Sequence, residues 1–211
     1  MQEAQKKTFT EPGTVYAYCN TDYVLAGLIA EAAAGESAAQ AMKQRFFDPL
    51  KLHDTELAID NRLAAPYAHG YALPFMDPDG ALVDCSRWNP SVYWTAGAIV
   101  SSAPDLLRWG RALFGGRVLS PDSLQQMVTP VAPSTDYGFG LLRFTSPSGR
   151  ELIGHNGTVV GYHDWLAYEP ATDTLVCVMG NRIDTWQDSS EPFIAQLTLD
   201  VFELLPRPGR R

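Results

Sequence analysis

Two short runs carry side chains that can move a proton or hold a polar substrate: Tyr18-Cys19-Asn20 and His155-Asn156-Gly157-Thr158. A phenol and a carboxamide two residues apart can present one proton-transfer group and one amide to the same cleft. An imidazole followed by a small residue and glycine on a strand lets a ligand lie close to the backbone, where strand N–H groups can serve an oxyanion. Each residue also has a plainer role: Tyr18 as a packed aromatic, Asn20 as a helix cap, His155 as a strand-end histidine. The three cysteines, Cys19, Cys85 and Cys177, lack a Cys-x-x-Cys spacing, so neither a zinc site nor a disulfide framework is expected. No Gly-rich phosphate loop, His-Glu-x-x-His or Gly-x-Ser-x-Gly motif occurs. No cofactor is therefore expected.

These residues must be positioned by a chain of 211 residues, 45% apolar and 19% charged, which is enough for a sizeable core. The net charge of −8 opposes nucleic acid and anionic lipid, because no basic stripe exists to release phosphate counterions. The cluster Arg207, Arg210 and Arg211 is broken by Pro206 and Pro208 and reads as a frayed terminus. No apolar run approaches the roughly 18 residues that cross a bilayer, so no membrane span is expected.

Periodicity supplies the elements. A helix is expected after Asn20, capped by Asn20 or Thr21, with Val24, Leu25, Leu28 and Ile29 at helical spacing and Gly35 as its stop. Ser37 caps a second, which Pro49 ends; Ser102-Ala103-Pro104-Asp105 and Ser120-Pro121 open two more. The Pro- and Gly-rich stretch 50–95 reads as a long functional loop walling a cleft. From residue 137 the period changes to two, and strands are expected at 137–144, 151–155, 159–168 and 174–179. A final amphipathic helix covers 191–205. Helices, an antiparallel meander and a closing helix make an α+β fold.

Five segments then resemble one family, in order and over most of the chain. PGTVYAYCNTDYVLAGLIAE resembles the pattern PG-t-x-y-x-YSN-t-x-y-x-lLG-x-iiE, and QRFFDPLKLHDTEL resembles fxPLgmxdT. TAGAIVSSAPDLLRWGRALFGGRVLS resembles aGgxxSTaxDLaxfxxaLlxG-x-lLs; GFGLLRF resembles GyGLGw; GHNGTVVGYHDWLAYEP resembles GHtGxxxGfxsxxaxxP. The chain is thus similar to the serine β-lactamase and penicillin-binding protein-like hydrolases, in the class C β-lactamase and D-alanyl-D-alanine carboxypeptidase branch that also holds esterases and D-aminopeptidases. The resemblance implies a β-lactamase/transpeptidase-like fold, an antiparallel sheet flanked by helices plus a helical lobe, incomplete at its N-terminal side. It divides the chain into an extension at 1–13, a partial domain at 14–205 and a tail at 206–211. The partial domain splits into a helical and loop lobe at about 14–130 and a sheet with the last helix at about 131–205.

The same resemblance implies acyl transfer on an amide, β-lactam or ester, with a small molecule or peptide as substrate. Tyr18 matches the tyrosine that shares proton transfer with the nucleophile's lysine, and Asn20 the asparagine that bonds the substrate's acylamide. His155 matches the Lys or His of the third motif. Asn156, Gly157 and Thr158 lie where the substrate docks, Thr158 supplying a strand N–H to the oxyanion, and Trp94 matches an aromatic of the pocket. The family's compartments are periplasmic, extracellular or, for some esterases, cytoplasmic.

Three departures follow. Cys19 stands for the usual serine and Asn156 for the usual threonine; Arg143 lies near, but not clearly at, a carboxylate-anchoring arginine. The four lysines, Lys6, Lys7, Lys43 and Lys51, follow Glu3, Ala4, Gln40 and Asp48 by three positions, so no Ser-x-x-Lys nucleophile motif occurs. A complementing N-terminal segment or a swapped oligomer is therefore expected. The alternative is a non-catalytic module of the same fold.

Overall fold

The computed structural model describes residues 11–62, 66–73, 80–183 and 192–206. Six helices are described: α1 (Asn20–Ala34), α2 (Ala38–Met42), α3 (Asp48–Leu50), α4 (Ala103–Phe114), α5 (Pro121–Val128) and α6 (Pro192–Leu204). Short strands β1 (Glu56–Leu57), β2 (Tyr71–Ala72), β3 (Val83–Asp84) and β4 (Ile99–Val100) lie in the first part of the chain. The main meander follows as β5 (Leu142–Thr145), β6 (Glu151–Val159), β7 (Tyr162–Glu169) and β8 (Thr174–Gly180), then β9 (Arg182–Ile183). The fold is α+β: β5 to β8 form one antiparallel sheet in sequence order, with helices against it.

Alternation along the strands divides the sheet into two faces. One carries Leu152, Ala167 and Val176, which close over Phe202 of α6 with Phe144, Val178 and Leu199 around them. The other packs on α4, where Gly110 lets the helix approach Leu175 and Leu166, and the Phe114 ring stacks on Tyr168 at 4.3 Å. The far end of the meander is tied by a buried ion pair. Arg150 at the start of β6 donates from Nη1 to both carboxylate oxygens of Glu169 on β7, at 3.1 and 2.9 Å. Its Nη2 donates to the Leu205 carbonyl at 2.5 Å, so one guanidinium anchors two strands and the end of α6.

Several boundaries differ from those the pattern suggests. Residues 151–159 are one strand rather than two, because the extended backbone runs through Gly157 and turns only at Val160-Gly161. The His-x-Gly segment therefore sits inside β6, not at the start of the next strand. Tyr137 touches the sheet through a single bridge to Leu142, and residues between them turn, so β5 starts at Leu142. Helix α1 begins at Asn20 itself with Cys19 as N-cap and no side-chain cap, whereas Ser37 and Gln40 form a reciprocal capping box on α2. Pro49 does not stop that run: a π-helical turn at Lys43–Phe47 carries it into α3, and Lys51 ends it in a left-handed conformation (φ 57°). The stretch 50–95 holds β1, β2 and β3, two of which join β9 in a small sheet ordered β3-β2-β9.

Buried Asp105 at the start of α4 fixes one end of that stretch. Its carboxylate accepts from the Asp54 amide at 2.8 Å and the Thr55 hydroxyl at 2.9 Å, and also from Arg108. β1 then pairs with β4, which closely follows the 94–96 segment facing α1.

Two surfaces are poorly covered. Helix α1 buries only Gly27, and Leu25, Leu28 and Ile29 are 52%, 50% and 69% exposed. Among the described residues, β8 pairs only with β7, so its outer edge is open. The purified chain is expected to self-associate with rising concentration in sedimentation, and Leu28→Glu with Ile29→Glu to weaken that association. A monodisperse monomer at high concentration contradicts this. Truncating the completely buried Phe202 to alanine should cost about 3–5 kcal/mol in denaturant unfolding, with the slope unchanged.

Candidate active site

The candidate site forms where α1 starts, where the 137–140 turn crosses it, and where β6 runs past both. Helix α1 is set by close contact with the 94–96 segment. Gly27 faces Thr95 so closely that a Cβ there would lie 2.3 Å from the Thr95 hydroxyl oxygen. That hydroxyl donates to the Tyr23 carbonyl at 2.9 Å, pinning the first turns of the helix. The other end is tied by Glu31, whose Oε1 accepts from the Ala38 amide at 2.8 Å.

Tyr18 and His155, distant in sequence, are brought together. Their ring centroids lie 6.4 Å apart, and Tyr18 also packs against Tyr23 at 5.7 Å and Tyr137 at 6.0 Å. The direct hydrogen bond to His155 comes from elsewhere: Tyr137 Oη lies 3.0 Å from His155 Nε2, and Tyr137 in turn bonds the Tyr23 hydroxyl. The His155 Nδ1 lies 2.5 Å from the Asn156 carbonyl oxygen. Beside this cluster is a cleft of about 580 Å³ whose aromatic wall is Tyr16, Tyr18, Tyr23, Tyr137 and Phe139. His155 is not part of that wall.

The remaining sequence candidates are placed as follows. Asn20 is the exposed first residue of α1, two positions beyond Tyr18. Gly157 lies two residues beyond His155 on the same face of β6 and opposite Asp164 of β7. Asn156 and Thr158 alternate to the other face, Thr158 exposed. Because β5 pairs with β6 only as far as Gly154, residues 155–159 have no strand on that side among those described. That bare edge leaves backbone groups free for an extended ligand. Trp94 has its ring against the cluster of Ala38, Leu57 and Ala98, with φ 42°. Arg143 is exposed on β5 opposite Ile153, on the His155 face of the sheet.

Sequence reasoning missed Tyr23, Tyr137 and Asp164. Tyr23 lies in the segment whose spacing predicts the first helix and Tyr137 in one whose period predicts a strand, and the density of tyrosines around Tyr18 (Tyr16, Tyr18, Tyr23) is the signal that points to the first. Asp164 was hidden in a segment matched as a whole; a carboxylate at an inward strand position was its signal. Its Oδ1 lies 2.6 Å from where a Cβ on residue 157 would stand, so a side chain there would require the carboxylate to shift.

Electrostatics here are short of positive charge. Burial lowers the His155 pKa from its ordinary value, partly offset by the bond to the Asn156 carbonyl. Burial raises that of Tyr18, with Tyr23 and Tyr16 adding to it, and burial also raises Tyr137, helped by its bond to Tyr23. Tyr18 therefore stays a neutral phenol. Cys19 is exposed and its thiol pKa is lowered, chiefly by a hydrogen bond with the Thr21 side chain.

The family model described as Beta-lactamase matches residues 2–198, and the chain belongs to that family of serine hydrolases. Penicillin-binding protein 4* of Bacillus subtilis (strain 168) is 30% identical over 192 residues, covering 84% of this chain and 42% of its own length. The D-aminopeptidase of Gluconobacter oxydans (strain 621H) is 28% identical, over 88% of this chain and 35% of its own. The chain thus spans less than half the length of these curated relatives. Among solved structures, D-amino acid amidase from Ochrobactrum anthropi SV3 complexed with D-phenylalanine superposes with a TM-score of 0.83 at 25% identity, over 93% of this chain and 61% of that one. A D-stereospecific amidohydrolase from Streptomyces sp. gives a TM-score of 0.80 at 26% identity, over 94% and 57%.

Burial lifts the Asp164 carboxyl to about 6, with no donor or cation among the described residues to offset it. The native state thus keeps a proton that the unfolded chain has released, and stability is lost as pH rises from about 4 through 6. Asp164→Asn should match the wild type near pH 4 and exceed it by about 2–3 kcal/mol at pH 8 in urea unfolding. Equal stability at both pH values contradicts the assignment.

Proposed function

We propose that this chain supplies the Tyr-x-Asn and His-x-Gly half of a serine amidohydrolase site that acts on amides of D-amino acids or D-terminated peptides. The observation that carries the reading is the meeting of Tyr18 and His155 beside the bare edge of β6. In this reading a substrate carbonyl lies along 155–159 with its developing oxyanion on strand N–H groups, Thr158 among them, while Asn20 holds its acylamide. Tyr18 relays a proton between nucleophile and leaving group. The choice of D-amides over β-lactams or esters follows the D-aminopeptidase and D-amino acid amidase likeness.

The nucleophile comes from a Ser-x-x-Lys segment outside these residues. Two features support this. Tyr18 is surrounded by phenols and a ring whose cationic form burial disfavours, so nothing described here draws its proton away, whereas a neighbouring lysine ammonium would. The exposed apolar positions of α1 and the open edge of β8 offer both a helix and a strand a place to pack. Because the motif is missing from the 211 residues, the second reading is a binding module without turnover.

The test compares the chain alone with the chain joined to its own upstream coding segment. Alone, it should release no nitroaniline from D-alanyl p-nitroanilide and no product from a chromogenic cephalosporin. Joined, it should hydrolyse the D-anilide, and Tyr18→Phe should lower kcat by about 10²–10⁴-fold. A penicillin adduct on the chain alone, most simply on Cys19, or an inactive joined protein that still binds D-phenylalanine amide, overturns the reading; the latter establishes the binding module.

A further inference from the structure

The hydrogen bonds around His155 dictate where its proton sits. A carbonyl oxygen can only accept, so the ring nitrogen 2.5 Å from the Asn156 carbonyl, Nδ1, carries hydrogen. In a neutral imidazole the other nitrogen is then a bare acceptor, and the hydroxyl 3.0 Å from Nε2 belongs to Tyr137. Tyr137, having given its proton to that bond, must accept from Tyr23, with which it is in hydrogen-bond contact. The chain of donation runs Tyr23 to Tyr137 to His155 to the Asn156 carbonyl, and every donor in it is used. Tyr18 contributes ring contact to His155 but no hydrogen bond among those described.

We propose that Tyr137, rather than Tyr18, is the positioning residue of His155: it occupies Nε2 and holds the ring as the Nδ1–H tautomer. The inference rests on the reading of His155 as part of the active site, and it deepens that reading by excluding two roles. With both nitrogens committed, His155 is neither a base toward Tyr18 nor a proton donor to the substrate while the chain is intact. A proton that reaches Nε2 enters against the direction of donation, so Tyr137 must swing its own hydrogen toward Tyr23 and accept from the new N–H. The other titratable side chains on the ring's sheet face, Arg143 on β5, Glu151 on β6, Tyr162, Asp164 and Tyr168 on β7 and Cys177 on β8, make no hydrogen bond to it. Tyr137 itself packs edge-on to the ring at 5.6 Å and against Tyr16 at 5.5 Å, so it is held by packing as well as by its two hydrogen bonds.

The experiment is a long-range ¹H–¹⁵N correlation spectrum of the chain as it stands, with no turnover required. The chain has four histidines, and His155→Gln identifies the resonances of interest. The expected spectrum shows Nδ1 protonated and Nε2 shifted upfield as a hydrogen-bonded acceptor. Tyr137→Phe should move Nε2 downfield toward a free imine nitrogen with Nδ1 still protonated, and Tyr18→Phe should leave both where they were. An Nε2–H tautomer in the wild type overturns the proposal, as does an Nε2 signal that answers to Tyr18→Phe instead of Tyr137→Phe. Should Tyr137→Phe fail to fold, the wild type decides alone: a Tyr137 hydroxyl proton correlated with Nε2 supports the proposal, and one correlated with Tyr23 only refutes it. A joined protein that proves inactive leaves these signatures untouched, so the two readings fail separately.

Discussion

Register between β6 and β7 is the constraint on which the rest depends. Seven consecutive pairs, from Ile153 with Tyr168 to Val159 with Tyr162, set which face each residue serves. A slip of one position would exchange the faces, sending Leu152 and Ala167 out of the core and His155 into it. The slip is opposed by the Arg150–Glu169 ion pair and by Gly154, where a Cβ would lie 2.1 Å from the Leu166 carbonyl oxygen. The packing of α6 on one face and α4 on the other then has no alternative partner set.

A second organising contact is the approach of α1 to the 94–96 segment at Gly27. The helix is apolar on nearly every side, so burial alone does not orient it. Orientation comes instead from a small number of directional contacts: the Thr95 hydroxyl on the Tyr23 carbonyl, Glu31 on the Ala38 amide, and the Tyr23–Tyr137 pair. Each acts at one end or one turn. Together they place Tyr18, just ahead of the helix, over the sheet face that carries His155.

The site so formed is aromatic, half-buried and without a described cation. Low local polarity raises the cost of any charge, which is why burial pushes the phenols up, the imidazole down and Asp164 toward neutrality. A pair of groups that titrate apart is the usual mark of acid–base machinery. Here burial favours the neutral forms of Tyr18, Tyr137, His155 and Asp164; an ammonium brought beside them would favour the charged forms of the phenols and the carboxyl and oppose the imidazolium further.

The sequence by itself determined the α+β class, the order of the elements, the helix starts at Ser37, Ser102 and Ser120, and the family. Those follow from local rules: a hydroxyl three residues ahead of an amide, a period of 3.6 or 2, and motifs conserved in type and order within a contiguous string. It also pointed to Tyr18 and His155 as residues able to share a cleft. Tertiary structure alone decided that the His-x-Gly segment lies inside β6, since only cross-strand pairing shows whether a glycine interrupts a strand or lets a neighbour in. It alone revealed Tyr137 and Tyr23 as the groups that bond His155, and Asp164 as the carboxylate over Gly157. Hydrogen bonds between residues tens of positions apart leave no trace in spacing, because the distance along the chain carries no information about the distance across a fold.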